Sequence, residues 1–133
     1  MSEGLLAANR RFYEAFAGAD LAAMDDVWAR KVPVTCVHPG WTPLLEREEI
    51  MLSWHAILAG AAPREIRYGA AEVFPGEEMG YVVCEETIGD TELVATNVFV
   101  LEDGDWKLVH HHAGPVVRRT PSARSPAPSG LVN

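Results

Sequence analysis

The spacing of turn signals in the second half of the chain is the strongest constraint on its fold. We predict four β-rich runs, at 66–74, 81–88, 93–101 and 106–117, and short segments rich in Gly, Pro and Asp separate them. Connections this short join neighbouring antiparallel strands, because parallel strands need a crossover of a dozen or more residues. The second half therefore predicts an antiparallel sheet.

The first half of the chain shows helical periodicity instead. Apolar residues recur at helical spacing before Gly18, and Asp20 can cap a second helix. A third helix is expected at 47–59, after a short β-rich run at 32–38 that ends in a Pro-Gly turn. Helices followed by antiparallel strands indicate the α+β class, in which the sheet buries one face against the three helices.

Length and charge narrow the class of protein. A chain of 133 residues fits one domain, which we place at 1–117, and the Pro- and Ser-rich segment at 118–133 predicts a disordered tail. There are 19 acidic and 11 basic side chains, which give a net charge of -8. An acidic surface repels phosphate backbones, so no nucleic-acid partner is expected.

The remaining composition points to a cytoplasmic protein. No apolar run approaches the roughly 20 residues that cross a bilayer, so no membrane partner is expected. The N-terminus lacks the basic region and long apolar stretch of a signal peptide. Cys36 and Cys84 fit no metal or redox motif, which predicts reduced, buried thiols.

The predicted strands are apolar on both faces. Val82, Val98, Val100 and Leu108 have few polar neighbours. A second apolar face on a small sheet usually means that a partner covers it. We therefore expect a homodimer that packs through the outer face of the sheet.

Several short motifs lie at defined places in this order of elements. They are Val37-His38-Pro39-Gly40-Trp41, Ser53-Trp54, Ala95-Thr96-Asn97-Val98-Phe99 and the run from Gly104 to His112. With these motifs the chain resembles the SnoaL-like branch of the NTF2-like superfamily over roughly residues 3–117. The resemblance implies a cone-shaped α+β domain whose curved sheet wraps the helices and leaves a pocket between them. The fold hosts isomerases, dehydratases, cyclases, epoxide hydrolases and non-catalytic association domains, so the resemblance selects no activity.

His38 is the first candidate for chemistry. It ends the short strand, and Pro39 biases it towards an extended backbone. In the related ketosteroid isomerases a general-base carboxylate precedes a proline at the equivalent strand end, and His38 occupies that position here. An imidazole titrates near pH 6.5 and can exchange a proton at neutral pH. The alternatives are that His38 lines the pocket without catalysis or only hydrogen-bonds the turn.

At the other positions of the ketosteroid isomerase site, this chain departs from the family pattern. In ketosteroid isomerases a tyrosine of the first helix and a protonated acid of a late strand stabilise the oxyanion. The matching positions here hold Phe12, with Tyr13 one residue further on, and Thr96 or Asn97. Isomerisation by that mechanism is therefore not expected, and Tyr13 is retained as a ligand-binding candidate.

Asn97 and two tryptophans are further candidates for the pocket wall. Asn97 interrupts an apolar strand, and a buried amide needs a partner, which is either a ligand or a bridge to a helix. Trp41 and Trp54 fit the mouth and the wall of the pocket, with core packing as the alternative. Glu85 and Glu86 are adjacent on a strand, so one of them must face inward or towards a partner.

The three consecutive histidines at 110–112 do not form a metal site by local spacing, because neighbours on a strand point to opposite faces. Their direction depends on the hairpin register. A three-residue loop pairs Asn97 with Val109 and turns His111 inward, whereas a two-residue type I′ turn pairs Asn97 with His110 and turns His110 and His112 inward. The related folds favour the three-residue loop, so we predict that His111 lies in the pocket. The alternative is that all three histidines lie at an interface or at the edge of the sheet.

Three functions follow from these features. The first is binding of an apolar small molecule by a pocket that contains Tyr13, His38, Trp41, Trp54, Asn97 and His111. The second is a cofactor-independent lyase or isomerase, or a hydrolase, in which His38 moves a proton and His111 or Asn97 holds an oxygen. The third is a homodimeric association module. No cofactor and no metal are expected.

Overall fold

Three helices and five strands make up the part of the chain that the structure, a computed structural model, describes: residues 2–60 and 65–117. The helices are α1 (Ser2–Ala17), α2 (Leu21–Val27) and α3 (Arg47–Leu58), and the strands are β1 (Thr35–Val37), β2 (Ile66–Phe74), β3 (Met79–Ile88), β4 (Thr91–Glu102) and β5 (Asp105–Pro115). This confirms the predicted α+β class, with three helices ahead of the four long strands and the short strand β1 between α2 and α3. The predicted tail at 118–133 lies outside the described residues.

The strands form one sheet in the order β1-β5-β4-β3-β2. β1 runs parallel to β5, and the other neighbours are antiparallel. The β2–β3 register shifts between Gly69 and Glu72, and the β4–β5 register shifts between Val98 and Phe99. A bulge bends its strand and increases the local twist, so these two irregularities curve the sheet around the helices.

The β4–β5 hairpin has the tighter of the two predicted turns. Glu102 pairs with Asp105, and both residues between them have positive φ, 54° at Asp103 and 85° at Gly104, as a type I′ turn requires. The predicted three-residue loop and the pairing of Asn97 with Val109 are therefore wrong. The turn alone would pair Asn97 with His110, but Val109 is an extra residue of β5, so Asn97 pairs with His111.

The core lies between the helices and the concave face of the sheet. Leu5 and Phe12 of α1 are fully buried there, and Asp20 caps α2 by accepting a hydrogen bond from the Ala23 amide at 3.0 Å. α3 is tied to α2 by Arg47, whose guanidinium donates to the Asp25 carboxylate at 3.0 Å. These contacts fix α3 over the end of β1, where the predicted site lies.

The outer face of the sheet carries part of the predicted apolar set. Val98 and Val100 are half-buried there, whereas Val82 and Leu108 are fully buried in the core, so the placement of these last two on the outer face is wrong. Other large apolar side chains are exposed on β2, β3 and β4, namely Phe74, Met79, Tyr81 and Val94. Among the described residues no helix is long and apolar enough to cross a membrane.

Candidate functional site

A cavity of about 270 Å³ opens where α3, the end of β1 and the concave face of the sheet meet. Its lining combines apolar side chains with a few polar ones: Phe16, His38, Pro39, Trp41, Trp54, Ile57, Glu86, Ile88, Thr91, Leu93 and His111. An apolar cavity of about 150 Å³ holds benzene. This cavity therefore has room for one ring with substituents or for a short branched chain.

His38 follows directly after β1 and is 3% exposed. Its Nε2 lies 2.8 Å from the Ser53 hydroxyl of α3, and that hydroxyl donates to the Ile50 carbonyl at 2.7 Å. Because the hydroxyl hydrogen is used on Ile50, the serine oxygen accepts from the imidazole. Burial lowers the pKa of His38 to about 4, so the ring is neutral at pH 7.

Two tryptophans pack edge-on against this imidazole. The Trp41 and Trp54 ring centroids each lie 4.8 Å from the His38 centroid. Trp41 is 47% exposed at the opening of the cavity, whereas Trp54 is fully buried and also contacts Phe12 and Phe16. Both side chains line the cavity, and Trp54 also packs in the core, which was the alternative weighed for it.

His111 faces inward from β5 and is 2% exposed. Its Nδ1 lies 2.6 Å from Oδ1 of Asn97, the residue opposite on β4. The Asn97 amide nitrogen donates to Asn9 Oδ1 at 2.9 Å and to the Tyr13 hydroxyl at 3.2 Å. Burial, and then the charge of His38, lowers the pKa of His111 to about 3, so this ring is also neutral at pH 7.

Glu86 is the buried carboxyl of the site. Its side chain, from β3, is 2% exposed and lines the cavity, and the Tyr13 hydroxyl donates to Oε2. Burial raises the pKa of Glu86, against the smaller lowering effect of the Tyr13 hydrogen bond, and burial raises the pKa of Tyr13 well above its usual range. The sequence predicted that one of Glu85 and Glu86 faces inward or towards a partner, but it did not name Glu86 as a site residue. Alternation counted from buried Val82 and Cys84 would have found it.

Tyr13 and Asn97 lie one layer behind the cavity. Both are buried, and neither is among the residues that line it. Tyr13 stacks on Tyr68 with ring centroids 4.4 Å apart, and Asn97 connects α1 to β5 through Asn9 and His111. Of the two roles considered for Asn97, the geometry shows the bridge from the sheet to a helix. Neither Tyr13 nor Asn97 lies where it would contact a ligand in the cavity directly.

The cavity wall can donate or accept a proton without a bound ion. Two neutral imidazoles, His38 and His111, lie with ring centroids 6.4 Å apart, and the Glu86 carboxyl lines the same space. Within residues 2–60 and 65–117, no group of three His, Cys, Asp or Glu side chains could hold a metal ion. The geometry therefore supports hydrogen bonding and proton transfer to a bound molecule.

Helices wrapped by a curved sheet, with a cavity between them, define the NTF2-like class that includes the ketosteroid-isomerase-like proteins. The model of the SnoaL-like domain matches residues 5–118. The chain belongs to the SnoaL-like family.

Two solved structures of about 30% identity share this fold. An NTF2-like protein from Streptomyces avermitilis, named as a candidate dehydratase, is 31% identical, with a TM-score of 0.81 over 88% of this chain and 96% of that one. A candidate calcium/calmodulin-dependent protein kinase type II association domain from Thiobacillus denitrificans is 30% identical, with a TM-score of 0.76 over 84% and 94%.

A more distant solved structure also shares the fold, and one curated protein is similar in sequence. A ketosteroid isomerase-like protein from Erwinia carotovora atroseptica is 14% identical, with a TM-score of 0.73 over 88% of this chain and 97% of that one. Among curated proteins, the F-box protein SKIP8 of Arabidopsis thaliana is 21% identical over 114 residues, which are 84% of this chain. The chain spans about half (49%) of the length of that relative.

Proposed function

We propose that this protein binds a small, largely apolar molecule in the cavity between α3 and the sheet. One observation carries the proposal: the cavity wall combines aromatic surface with three buried polar side chains, His38, Glu86 and His111. Buried polar groups cost free energy unless they are hydrogen-bonded, and concave apolar sites with a few convergent polar groups are typical of ligand binding. The cavity volume limits the ligand to about one ring.

A thermal-shift screen of small ring compounds tests this proposal. A ligand that binds only the folded state raises the unfolding temperature in proportion to the logarithm of its concentration above Kd. The Ile57→Trp variant fills the cavity and should abolish the shift, because Ile57 lines it. Leu52→Trp is the matched control, because Leu52 lies on the same helix and is 65% exposed. A shift that survives in Ile57→Trp, or no shift with any ring compound, contradicts the proposal.

A second candidate function is cofactor-independent acid–base catalysis by a lyase or isomerase. The arrangement of His38 favours it: the ring is neutral at pH 7, Ser53 orients it from behind, and the ring lines the cavity. The Streptomyces relative named as a candidate dehydratase supports a lyase in particular. In this function Nδ1 of His38 takes a proton from the substrate, and the Glu86 carboxyl, whose neutral form burial favours, donates a hydrogen bond to the substrate oxygen.

The test is a panel of small alcohols and enolisable ketones, assayed for loss of water and for proton exchange with solvent. His38→Gln should lower the rate by about 100-fold or more, the usual contribution of a positioned general base. His55→Gln is the control, because His55 is exposed on α3. An unchanged rate in His38→Gln overturns this mechanism and leaves binding untouched.

A third candidate is self-association through the outer face of the sheet. The stacked Phe74 and Tyr81 rings, with centroids 4.7 Å apart, and exposed Val94 form an apolar surface that a second copy of the chain would cover. The Thiobacillus relative named as an association domain supports it. Sedimentation velocity should show a dimer at micromolar concentration that Val94→Arg dissociates. Leu45→Arg, at an exposed position after β1, should leave it intact, and a wild-type monomer overturns the proposal.

A further inference from the structure

The two imidazoles of the cavity wall have fixed ring protons. The Ser53 hydroxyl donates its hydrogen to the Ile50 carbonyl, so its oxygen can only accept from His38. The ring proton of His38 therefore lies on Nε2. Nδ1 of His38 is then a lone-pair acceptor. The Cys36 thiol, a weak donor, lies 3.9 Å from Nδ1 and 3.7 Å from Nε2 of His38.

The proton of His111 is fixed by a longer chain of hydrogen bonds. Tyr13 donates to Glu86, so the Tyr13 oxygen accepts from the amide nitrogen of Asn97. The same nitrogen donates to Asn9 Oδ1. The carbonyl oxygen of Asn97 therefore faces His111, and Nδ1 of His111 donates to it at 2.6 Å.

This arrangement leaves the second nitrogen of His111 as an acceptor as well. Nε2 of His111 has no hydrogen-bond partner among residues 2–60 and 65–117. The Glu86 carboxyl accepts from the Tyr13 hydroxyl at Oε2, and burial raises its pKa, which favours the neutral form with one hydrogen to donate. The free imidazole nitrogens, Nδ1 of His38 and Nε2 of His111, thus offer lone pairs, and the Thr91 hydroxyl can either donate or accept. The lining also holds a donor, the buried Nε1–H of Trp54, which has no hydrogen-bond partner among the described residues.

We propose that the ligand of this cavity is a hydroxyl compound, a small cyclic alcohol or diol, and not the corresponding carbonyl compound. The inference rests on the proposed function, because it names the chemistry of the molecule that the cavity binds. A hydroxyl group donates its hydrogen to His38 or His111. The hydroxyl oxygen can also accept from the Trp54 N–H. A ketone oxygen only accepts, so it leaves both imidazole nitrogens unpaired after their water is displaced.

The size and walls of the cavity specify the rest of the molecule. Apolar side chains from α1, α3 and β4 (Phe16, Ile57 and Leu93) surround the space with Trp41 and Trp54. The volume of about 270 Å³ accommodates a single ring. The ligand is therefore a ring with an apolar body and one or two hydroxyl groups on the side that meets the histidines.

Cyclohexanol and cyclohexanone test the inference, because they share a ring and differ in donor capacity. Titrations followed by ¹H–¹⁵N NMR of the full chain should give at least about 10-fold tighter binding of the alcohol, since unpaired buried acceptors penalise the ketone. Ketone binding that equals or exceeds alcohol binding overturns the inference and leaves the cavity proposal standing. Binding of neither compound counts against the cavity proposal, and the inference falls with it.

The ring protons can be measured without any ligand. Long-range ¹H–¹⁵N NMR at pH 7 should show the Nε2–H form for His38 and the Nδ1–H form for His111, with exposed His55 as an internal reference. The reverse pair of tautomers overturns the inference. In Ser53→Ala the His38 proton loses its partner and can lie on either ring nitrogen, so the alcohol preference should fall to the part that His111 supplies. A variant that keeps the full preference contradicts the role of Ser53.

Discussion

The pKa values of individual residues in this site are shifted more by burial than by neighbouring charges. Burial is the largest cause of the pKa shifts of His38, Glu86 and His111, and it favours the neutral form of each. The sequence predicted His38 from its place before Pro39, and His111 from a three-residue hairpin loop that related folds favour. The structure has a type I′ turn and one extra residue of β5 in its place, and these also turn His111 inward. The sequence could not identify Ser53 as the partner of His38, because that contact joins a loop to a helix 15 residues away.

The depressed pKa of His38 predicts a loss of stability in acid. The folded value is about 4 and the unfolded value about 6.5, so between these pH values the unfolded chain binds the additional proton. The free energy of unfolding should therefore fall as the pH drops from 6.5 to 4, by roughly 3 kcal/mol from this group alone. Urea denaturation at a series of pH values measures this change in the free energy of unfolding.

His38→Gln is the comparison for this titration. The variant lacks the group, so its free energy of unfolding should fall less steeply over the same range. Glu86 works in the opposite direction, because a raised carboxyl pKa favours the folded state as the pH falls, and it is present in both proteins. Equal slopes for the two proteins would show that His38 is protonated equally in both states.

Asn97 should be the most sensitive polar residue of the interior. Asn97→Leu leaves Nδ1–H of His111 and the Asn9 carbonyl without partners, and each unpaired buried group costs about 1–3 kcal/mol. We expect urea denaturation to show a loss of at least about 2 kcal/mol. Thr96→Val, one residue away on the half-exposed outer side, should change stability by less than about 1 kcal/mol. Similar losses in the two variants would contradict the role of Asn97 as a bridge.

At the scale of elements, helices and strands were predictable and the hairpin register was not. Local periodicity and turn residues carry the element pattern, so all three helices and the four long strands lie close to their predicted ranges. The register depends on a bulge at Val109, and no turn residue marks that position. The type I′ turn without the bulge would have put His110 opposite Asn97.

The hairpin turn predicts a matched pair of glycine variants. An added Cβ would meet open space at both Gly104 and Gly114, but Gly104 has φ of +85° and Gly114 has no positive φ. Gly104→Ala should lose about 1–2 kcal/mol, the cost of the left-handed conformation for an L-residue. Gly114→Ala should be neutral or slightly stabilising, because glycine in a strand is unfavourable relative to alanine. Thermal denaturation compares them, and equal losses would argue against the type I′ turn.

At the scale of the whole molecule, the sheet order predicts where the fold is most stable. β4 is paired along its length with β3 on one side and β5 on the other, whereas β1 and β2 are edge strands and β2 has a bulge. Hydrogen–deuterium exchange followed by mass spectrometry should show the slowest exchange in β4 and faster exchange in β2. Equal protection of β2 would indicate that another element or a second chain covers that edge.

Because three histidines are consecutive in β5, a one-residue shift of this strand would still place an imidazole opposite Asn97. Residues directly opposite in an antiparallel ladder point to the same side, so the residue facing Asn97 always points inward. A slip of β5 by one position in either direction would bring His110 or His112 into that place, and an imidazole would still meet the amide. A one-residue insertion or deletion near the hairpin tip would thus keep a histidine side chain in the interior.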